Sequence, residues 1–270
     1  MDYQTFQPHP DLSALVKFYW TLEVPFDPSN QKQKIIPDGC IEMTFNLEDK
    51  IKRYISENEF IVHPNSMVMG QRTKSYYIKP LGNVNSFAIC FYPYGFANFI
   101  CTPLENLVDV ETPIESLFGE IPAKELEQNI VQATSTQERI EIIETFLLNK
   151  LNHGKTIENL VKTTVDTLLA TNGSTSINQI LKDDLSKRRQ LERNFKKQIG
   201  ISPKQLGKVL RLQTALKMLL NDNENLTSIA YESEYFDQAH FIKDFKEFIG
   251  TTPKEFLGNE NIALSTLFYK

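Results

Sequence analysis

The stretch that decides the fold is residues 189–206, which read RQLERNFKKQIGISPKQL. The same pattern returns 50 positions later, where residues 239–256 read AHFIKDFKEFIGTTPKEF. A repeat at a fixed period indicates one supersecondary unit that is built twice. Each copy predicts a helix, a glycine that ends it and a hydroxyl-proline pair that begins another helix. The two copies share the pairs Phe195/Phe245, Lys196/Lys246, Ile199/Ile249, Gly200/Gly250, Pro203/Pro253 and Lys204/Lys254.

Each repeated helix follows a short apolar segment and a turn, and we call the two combinations the first unit and the second unit. A short helix, a tight turn and a second helix with exposed first residues have the geometry that enters a DNA major groove. The residues expected to face DNA are Arg188, Arg189, Glu192, Arg193, Lys196 and Lys197 in the first unit, and Gln238, Ala239, Ile242 and Lys243 in the second. The residues expected to hold the units together are Leu191, Phe195, Gly200, Pro203, Ala230, Asp237, His240, Phe241, Phe245, Gly250 and Pro253.

The segment between the copies, Lys204–Leu220, predicts one helix with an apolar face. At ~1.5 Å per residue it spans roughly 25 Å. With the lateral offset of the two units, it could hold their second helices about one DNA turn, ~34 Å, apart.

Charge is distributed unevenly along the chain. The formal net charge is −5, whereas residues 176–257 carry 14 basic and 11 acidic residues. Between Ser186 and Arg211 there are nine basic residues and one acid, which is typical of a surface that binds a polyanion, although a solvated helix face is the alternative. The first unit is therefore expected to supply most of the electrostatic affinity, and the second to read thymine methyls or groove shape. Candidates for phosphate contacts are Lys196, Lys197, Lys204, Lys208 and Arg211.

The rest of the chain changes period at about residue 122. Before it, alternating apolar residues such as Ile41, Met43 and Phe45 predict strands, and after it the spacing is helical. The sequence thus predicts an α+β chain: a small antiparallel β-barrel or sandwich, cupin-like and with helices, followed by an all-α double helix-turn-helix domain. The predicted boundaries are 1–120 for an effector-sensing part, 121–171 for a helical linker or dimerisation segment, 172–258 for the double helix-turn-helix and 259–270 for a tail.

Residues 177–257 resemble the C-terminal double helix-turn-helix domain of the AraC/XylS family of bacterial transcription regulators. The N-terminal half is similar to a sensory-type domain found on some members. The resemblance implies double-stranded DNA as partner, with a small-molecule effector, a homodimer contact and RNA polymerase as further partners. It is carried by residues 189–196, 200–203, 211–212, 229–230 and 235–241, and in the N-terminal half by 36–40, 70–73 and 91–96.

Two positions depart from the family pattern. Glu234 stands where the family usually has a glycine in the second turn, so a positive φ there would strain the backbone. In the first unit Lys187 takes the place of the capping serine, and Ser186 lies one residue early. We expect Ser186 or Lys187 to cap this helix, in a turn less regular than the second one.

Catalytic and metal chemistry find little support in the sequence. The three cysteines have no CxxC spacing and the histidines no HxH or HExxH spacing, so we expect no metal, no cofactor and no enzyme, in a reducing cytoplasm. Cys40 is interpreted as part of a turn that feeds a strand rather than as a reactive thiol, and Cys90 as core. His240, one helix turn from Asp237, is interpreted as structural. No apolar run approaches the roughly 18–20 residues of a membrane span, and the N-terminal stretch is not a secretory signal.

Three alternatives remain open at this stage. The units could form a protein-interaction module with degenerate DNA binding, or the N-terminal barrel could belong to a metabolite-binding enzyme. A DNA-alkylation-repair enzyme would need a clustered cysteine zinc site. The effector, the DNA sequence and the direction of regulation do not follow from the sequence.

Overall fold

The computed structural model describes residues 1–28, 31–151, 157–182, 184–221, 225–258 and 262; the predicted tail lies outside these residues except for residue 262. The strands are β1 (Asp2–Phe6), β2 (Val16–Val24), β3 (Gln33–Ile35), β4 (Ile41–Asn46), β5 (Ile51–Tyr54), β6 (Phe60–Val62), β7 (Ser66–Met69), β8 (Tyr76–Pro80), β9 (Val84–Phe91) and β10 (Glu111–Pro113). The α-helices are α1 (Ile114–Phe118), α2 (Glu120–Gln132), α3 (Thr136–Lys150), α4 (Asn159–Ala170), α5 (Ile177–Ile180), α6 (Arg188–Ile199), α7 (Pro203–Asn221), α8 (Leu226–Glu232), α9 (Gln238–Ile249) and α10 (Pro253–Leu257). None of the described helices combines the length and apolarity that crossing a bilayer requires.

The strands form two antiparallel sheets. The larger has the order β1-β2-β9-β4-β7-β10 and the smaller the order β3-β8-β5-β6. Strand β9 is central in the larger sheet, where Cys90 lies opposite Phe18 of β2 and Glu42 of β4. Because side chains alternate across a strand, Glu42 and Cys90 share one face of this sheet, and Met43 and Ile89 share the other.

The face that carries Met43 and Ile89 packs against α1–α3 and forms a large apolar core. Helix α3 contributes Ile140, Ile143 and Leu147, which are almost fully buried. The apolar stripe that suggested a dimerisation surface in this helix is thus covered within the chain. A homodimer stays a prediction, without support from that stripe.

The opposite face, with Glu42 and Cys90, lies towards the smaller sheet. Trp20, Ile51 and Val84 pack there, and a cavity of about 150 Å³ remains between the two sheets. The α+β prediction is confirmed: antiparallel sheets precede helical units. The N-terminal part consists of two separate sheets rather than a closed barrel.

The helical part has two apolar cores that meet along α7. The first core joins α4, α5 and α6 to Leu206 near the beginning of α7. The second joins α8, α9 and α10 to Val209, Leu212 and Leu216 further along the same helix. One connecting helix therefore supports both helix-turn-helix units, as the apolar face of Lys204–Leu220 predicted.

The repeat is longer than the two quoted segments. In α4 the buried residues are Val161, Thr164, Val165 and Leu168, and 51 positions later Leu212, Ala215, Leu216 and Leu219 are buried in α7. Helices α6 and α9 begin and end 50 positions apart. Each unit is thus a three-helix repeat, α4-α5-α6 and α7-α8-α9. We propose on this basis that the helical domain begins with α4, which was predicted as part of a linker.

The N-terminal part contacts both units at equivalent places: the C-terminal end of α6 in the first unit and the C-terminal end of α9 in the second. Gly200, after α6, lies so close to the backbone of Leu104 that an added Cβ would be 3.1 Å from its carbonyl oxygen. At the end of α9 the carbonyl oxygen of Ile249 accepts hydrogen bonds from Lys34 Nζ (2.8 Å) and Ser75 Oγ (3.0 Å). Lysine at this position also matches the negative end of the helix dipole.

Candidate nucleic-acid interface

Helix α6 presents a basic face to solvent. Leu191, Phe195 and Ile199 are fully buried against α4 and α7, which places the intervening residues outside. Each residue of α6 that was predicted to face DNA is exposed, together with Gln190: Arg188, Arg189, Glu192, Arg193, Lys196 and Lys197. The predicted face and the predicted core of the first unit are therefore separate in space.

Only part of this basic face is neutralised by ion pairs within the chain. Arg188 Nε lies 3.2 Å from Glu192 Oε1, one helix turn away. Among the described residues, no acidic group pairs with Arg189, Lys196 or Lys197. Exposed ion pairs contribute about 0–1 kcal/mol, so the Arg188–Glu192 pair could be broken by a phosphate group at little cost.

A carboxylate at the beginning of α4 fixes one flank of α6. Gln190 Nε2 donates to Glu158 Oε1 (2.8 Å), and Asn194 Nδ2 donates to Glu158 Oε2. These bonds keep Gln190 and Asn194 turned towards α4. Gln190 therefore positions the helix, as predicted, rather than extending towards a partner.

The beginning of the first unit is less regular than the second. Ser176 and Gln179 form a capping box on α5, and Lys182 then takes a positive φ of 48°. Within the described part of this turn neither Ser186 nor Lys187 caps α6 with its side chain, because Ser186 Oγ instead donates to Asp184 Oδ1 (2.5 Å). Lys187 stands at the N-cap position of α6, as expected, but without a capping hydrogen bond from its side chain. A 3₁₀ turn at Leu185–Lys187 leads into the helix instead.

Helix α9 of the second unit has a nearly neutral outer face. Asp237 caps it by accepting a hydrogen bond from His240 N (2.7 Å), and Phe241 and Phe245 are fully buried beneath it. Ala239 and Lys243 are exposed, whereas Gln238 and Ile242 are half-buried. Gln238 Oε1 accepts a hydrogen bond from Thr227 Oγ1 (2.8 Å), and Ile242 packs against the second core.

The second turn keeps its shape despite the missing glycine. Glu234 takes the left-handed backbone with φ 62°, and the next amide, Tyr235 N, donates to Ala230 O (2.9 Å). Phe236 follows with 84% of its surface exposed, directly before the cap of α9. Phe236 therefore adds an exposed apolar group to the outer face of the second unit. The sequence did not predict this role for it.

Two of the proposed phosphate contacts have partners inside the protein. Lys208 Nζ lies 3.0 Å from both Asp244 Oδ1 and Glu247 Oε2, and Arg211 Nη1 donates to Gly173 O (3.1 Å). These two side chains hold α7 to its neighbours, so their assignment to phosphate contacts is not supported. Lys204, by contrast, is exposed.

A groove beside α6 brings basic residues to a loop. Its volume is about 570 Å³, and it runs between the Gly173–Ser176 loop and the beginning of α7. Arg188, Lys196 and Lys204 line it. Backbone amides, hydroxyl groups and cations at one groove are suited to a phosphate group. The sequence predicted the cations but not the loop opposite them.

The imidazole ring of His240 packs against Tyr235. Asp237 bonds to the backbone amide of His240, whereas the imidazole ring lies edge-on to Tyr235, with 5.3 Å between ring centroids. The ring nitrogen Nε2 is 3.7 Å from Asp244 Oδ2. These contacts agree with the structural interpretation of this residue.

A second cavity lies between the N-terminal part and α7. Its volume is about 570 Å³, with Lys17, Glu42 and Arg72 on one side and Gln213 and Lys217 of α7 on the other. Burial raises the pKa of Glu42 to about 8, and Trp20 Nε1 donates to its Oε1 (3.0 Å). In the smaller cavity between the sheets, burial lowers the pKa of His63 to about 4, so this histidine is neutral at pH 7.

Three groups that could ligate a metal meet at the wall of the larger cavity. Ligand atoms of Asp38, Cys40 and Cys90 lie within 4.8 Å of one another, and they are the only such group of three in the described part of the chain. The sequence placed Cys40 in a turn and Cys90 in the core, which the structure confirms, but not their proximity.

Comparison with known proteins agrees with this division of the chain. Residues 186–259 match a family described as a helix-turn-helix domain, and residues 4–113 match one described as a domain of unknown function. The porin thermoregulatory protein EnvY of Escherichia coli (strain K12) is 40% identical over 50 residues, 18% of this chain. The match spans a fifth of that relative's length (20%).

Two solved structures are similar at low identity. ToxT from Vibrio cholerae is 12% identical with a TM-score of 0.49, over 91% of this chain and 99% of that one. The C-terminal domain of AraT, a response regulator from Geobacillus stearothermophilus, is 20% identical with a TM-score of 0.35, over 38% of this chain and 86% of that one.

Proposed function

We propose that this chain, a DNA-binding transcription regulator of the AraC/XylS family, reads two adjacent major-groove segments of one DNA site with α6 and α9. The observation that carries the proposal is the three-helix repeat. Two helices, α6 and α9, each with a buried apolar face and an exposed opposite face, pack on one connecting helix, α7. Such a pair can occupy successive major grooves on one side of a duplex.

The two units have unequal roles in this proposal. Helix α6 supplies Arg189 and Arg193 to base edges, and Lys196 and Lys197 to phosphates, because arginine suits bidentate contact with guanine. Helix α9 offers Ala239 and Lys243, with Phe236 beside them, to thymine methyls or the groove wall. Gln238 and Ile242 reach DNA only if the Thr227 bond opens or the side chain of Ile242 rotates.

The test is selection of bound duplexes from a random pool with the full chain. We expect one enriched motif with two half-elements about ten base pairs apart. Enrichment of a single half-element would leave the second unit without a reading role, and no enrichment would overturn the proposal.

Salt titration of the selected duplex separates the units. Arg193→Ala should weaken binding and reduce the slope of log K against log salt by about 0.9 if the side chain neutralises a phosphate, whereas a base contact alone leaves the slope nearly unchanged. Lys243→Ala is the matched change in the second unit, since Lys243 occupies the same repeat position. Unchanged binding of both variants would favour the alternative of a protein-interaction module.

A small-molecule effector fits the cavity between the N-terminal part and α7, because a ligand there touches both parts at once. The cavity suits a ligand with an acceptor group, because the basic residues Lys17, Arg72 and Lys217 line it. A second copy of the chain and RNA polymerase are further partners of such a regulator.

Thermal shift measurements with a library of small carboxylates and amino acids test this site. A true ligand should raise the Tm of the wild type but not of Thr214→Trp, in which the cavity wall is filled. An equal shift in both proteins would place the ligand elsewhere.

A further inference from the structure

The turn that precedes β4 is a joint between the N-terminal part and the helical part. Gly39 has φ 79°, and a Cβ added there would lie 3.3 Å from Leu206 Cδ1 of α7. The carbonyl oxygen of Pro37 accepts a hydrogen bond from Gln213 Nε2 of α7. On the other side, Gln71 Nε2 donates to Gly39 O (2.8 Å). Any displacement of this turn is therefore transmitted directly to the helix that carries both units.

Cys40 ends this turn and lies next to a second thiol. Glu42 pairs with Cys90 across β4 and β9, so Cys40, two residues earlier, projects from the same face as Cys90. The two sulfur atoms lie within 4.8 Å of each other. Cys90 is fully buried in the central strand, whereas Cys40 lines the cavity between the two parts. A small molecule that enters the cavity therefore meets Cys40 first.

A cation and a carboxylate lie beside Cys40. Lys17 Nζ lies 3.9 Å from Cys40 Sγ at the wall of the same cavity. The sulfur in turn raises the pKa of Lys17, so this cation stays charged over the accessible pH range. The Asp38 carboxylate accepts a hydrogen bond from Cys40 N (2.9 Å). A cysteine on a cavity wall, with a lysine and a second cysteine beside its sulfur, has the geometry of a cysteine that reacts with oxidants.

We propose that Cys40 and Cys90 form a peroxide-reactive dithiol, and that its oxidation to a disulfide changes DNA binding by moving the joint against α7. The regulatory half of this statement rests on the proposed function; the chemical half does not.

The reaction balances with hydrogen peroxide as oxidant. The Cys40 thiolate attacks one peroxide oxygen, the S–O bond forms, the O–O bond breaks, and the departing hydroxide takes a proton to become water. Cys90 sulfur then attacks Cys40 sulfur, the S–S bond forms, and the S–O bond breaks with release of a second water. Two thiols lose two electrons and two protons in all, and the peroxide gains them.

Bond formation requires the joint to move. A disulfide holds its sulfur atoms about 2.05 Å apart. Cys90 is in β9, which is paired on both sides, whereas Cys40 lies outside the strands. The displacement therefore falls mainly on the Pro37–Cys40 turn and on its contacts with Leu206 and Gln213.

The test combines peptide mass mapping with three single variants of the full chain. After hydrogen peroxide treatment, the wild type should lose two hydrogens and yield a Cys40–Cys90 linked peptide that dithiothreitol reverses. Cys90→Ser should stop at a sulfenic acid on Cys40, trapped by dimedone, and Cys40→Ser should give neither product. Cys101→Ser is the matched control, because Cys101 is exposed and has no part in the pair. In the Cys90→Ser background, Lys17→Met should slow trapping by roughly tenfold.

Three outcomes would overturn the dithiol: oxidation confined to Cys101, sulfenic acid formation on Cys40 at the rate of a free thiol with no linked peptide in the wild type, or one zinc ion per chain that is retained on Cys40 and Cys90. The regulatory half is tested with the duplex selected by the reduced chain. We expect the Kd of the chain for this duplex to change at least fivefold on oxidation. Failure to select any duplex counts against the proposed function alone, since the linked peptide is measured without DNA.

Discussion

In the first unit, α6 is held by Glu158, whose carboxylate accepts hydrogen bonds from Gln190 and Asn194. In the second unit, α9 is held by Lys208, which pairs with Asp244, the residue 50 positions after Asn194. In both units the bond to this repeat position spans 36 residues and reaches the first helix of the unit, at the N-cap of α4 or within α7. The charge of the anchoring residue is reversed between the two units: an acid, Glu158, anchors α6, and a base, Lys208, anchors α9.

The charge of the anchoring residue affects which charged side chains remain on the outer faces of α6 and α9. Glu158 bonds to neutral amide groups, so it neutralises none of the arginines and lysines on the outer face of α6, of which Arg188 pairs with Glu192. In the second unit, the cation of Lys208 is used inside the protein, on Asp244 and Glu247 of α9. The comparison teaches that a shared fold can assign its charges to internal anchoring in one copy and to an external partner in the other.

The largest expected effect tests the buried phenylalanine that both units have at the same repeat position. Phe195→Ala and Phe245→Ala each remove a fully buried aromatic ring from equivalent positions. Each variant should lose about 3–5 kcal/mol of unfolding free energy because of lost burial and the cavity left behind. Urea denaturation gives the values. A difference of more than a factor of two between them would break the equivalence of the two cores.

A smaller effect tests the reversed anchors. Asp244 is almost fully buried, so Asp244→Ala leaves Lys208 with Glu247 alone and should cost about 2–4 kcal/mol. Asn194→Ala removes one hydrogen bond at a half-buried site and should cost about 1 kcal/mol. Equal losses in denaturant melts would contradict the claim that the second anchor depends on a buried charge.

The glycines after α6 and α9 provide a matched pair. Both have positive φ, 101° at Gly200 and 84° at Gly250, so alanine should cost about 1–2 kcal/mol at either site. Gly200→Ala should cost more, since its Cβ meets Leu104 O at 3.1 Å, whereas nothing lies within 4 Å at Gly250. Tm values of the two variants decide this. If Gly250→Ala were the more destabilised, the contact of the N-terminal part with α6 would be wrong.

The smallest effect concerns the second turn. Glu234→Gly should raise the stability by about 0.5–1 kcal/mol, because glycine takes φ 62° without steric cost but loses more backbone entropy on folding. Glu232→Gly, at the C-terminal residue of α8, is the control and should lower stability by less than about 1 kcal/mol, the cost of glycine inside a helix. A loss of stability in Glu234→Gly would mean that the left-handed backbone carries no strain here.

Much of the helical part could be predicted because its signals are local. The glycine stops, the hydroxyl-proline starts and the buried Phe195 and Phe245 follow from spacing within one copy, and the resemblance to the AraC/XylS family is confirmed. The membership of α4 was missed because its buried residues differ in type from those of α7 and lie at an offset of 51 rather than 50.

Other features depend on partners far away in the chain, which spacing does not reveal. Lys208 reads as a free surface cation until Asp244 is placed beside it. The Cys40–Cys90 pair arises from the register of β4 and β9, which is fixed only when the strands pair. The half-buried state of Gln238 follows from its bond to Thr227, 11 residues earlier.

In the proposed function, the contact of the N-terminal part with the ends of both α6 and α9 would act as a ruler for the spacing of the two DNA half-elements. Lys34 and Ser75 hold the C-terminal end of α9, and Leu104 contacts the end of α6. The distance and the angle between α6 and α9 therefore depend on the N-terminal part as well as on α7. Each base pair added between two half-elements rotates one of them by about 34° around the duplex. A molecule with this ruler in place should reject sites that are one base pair too long or too short, and release of either end should widen the range of spacings that it accepts.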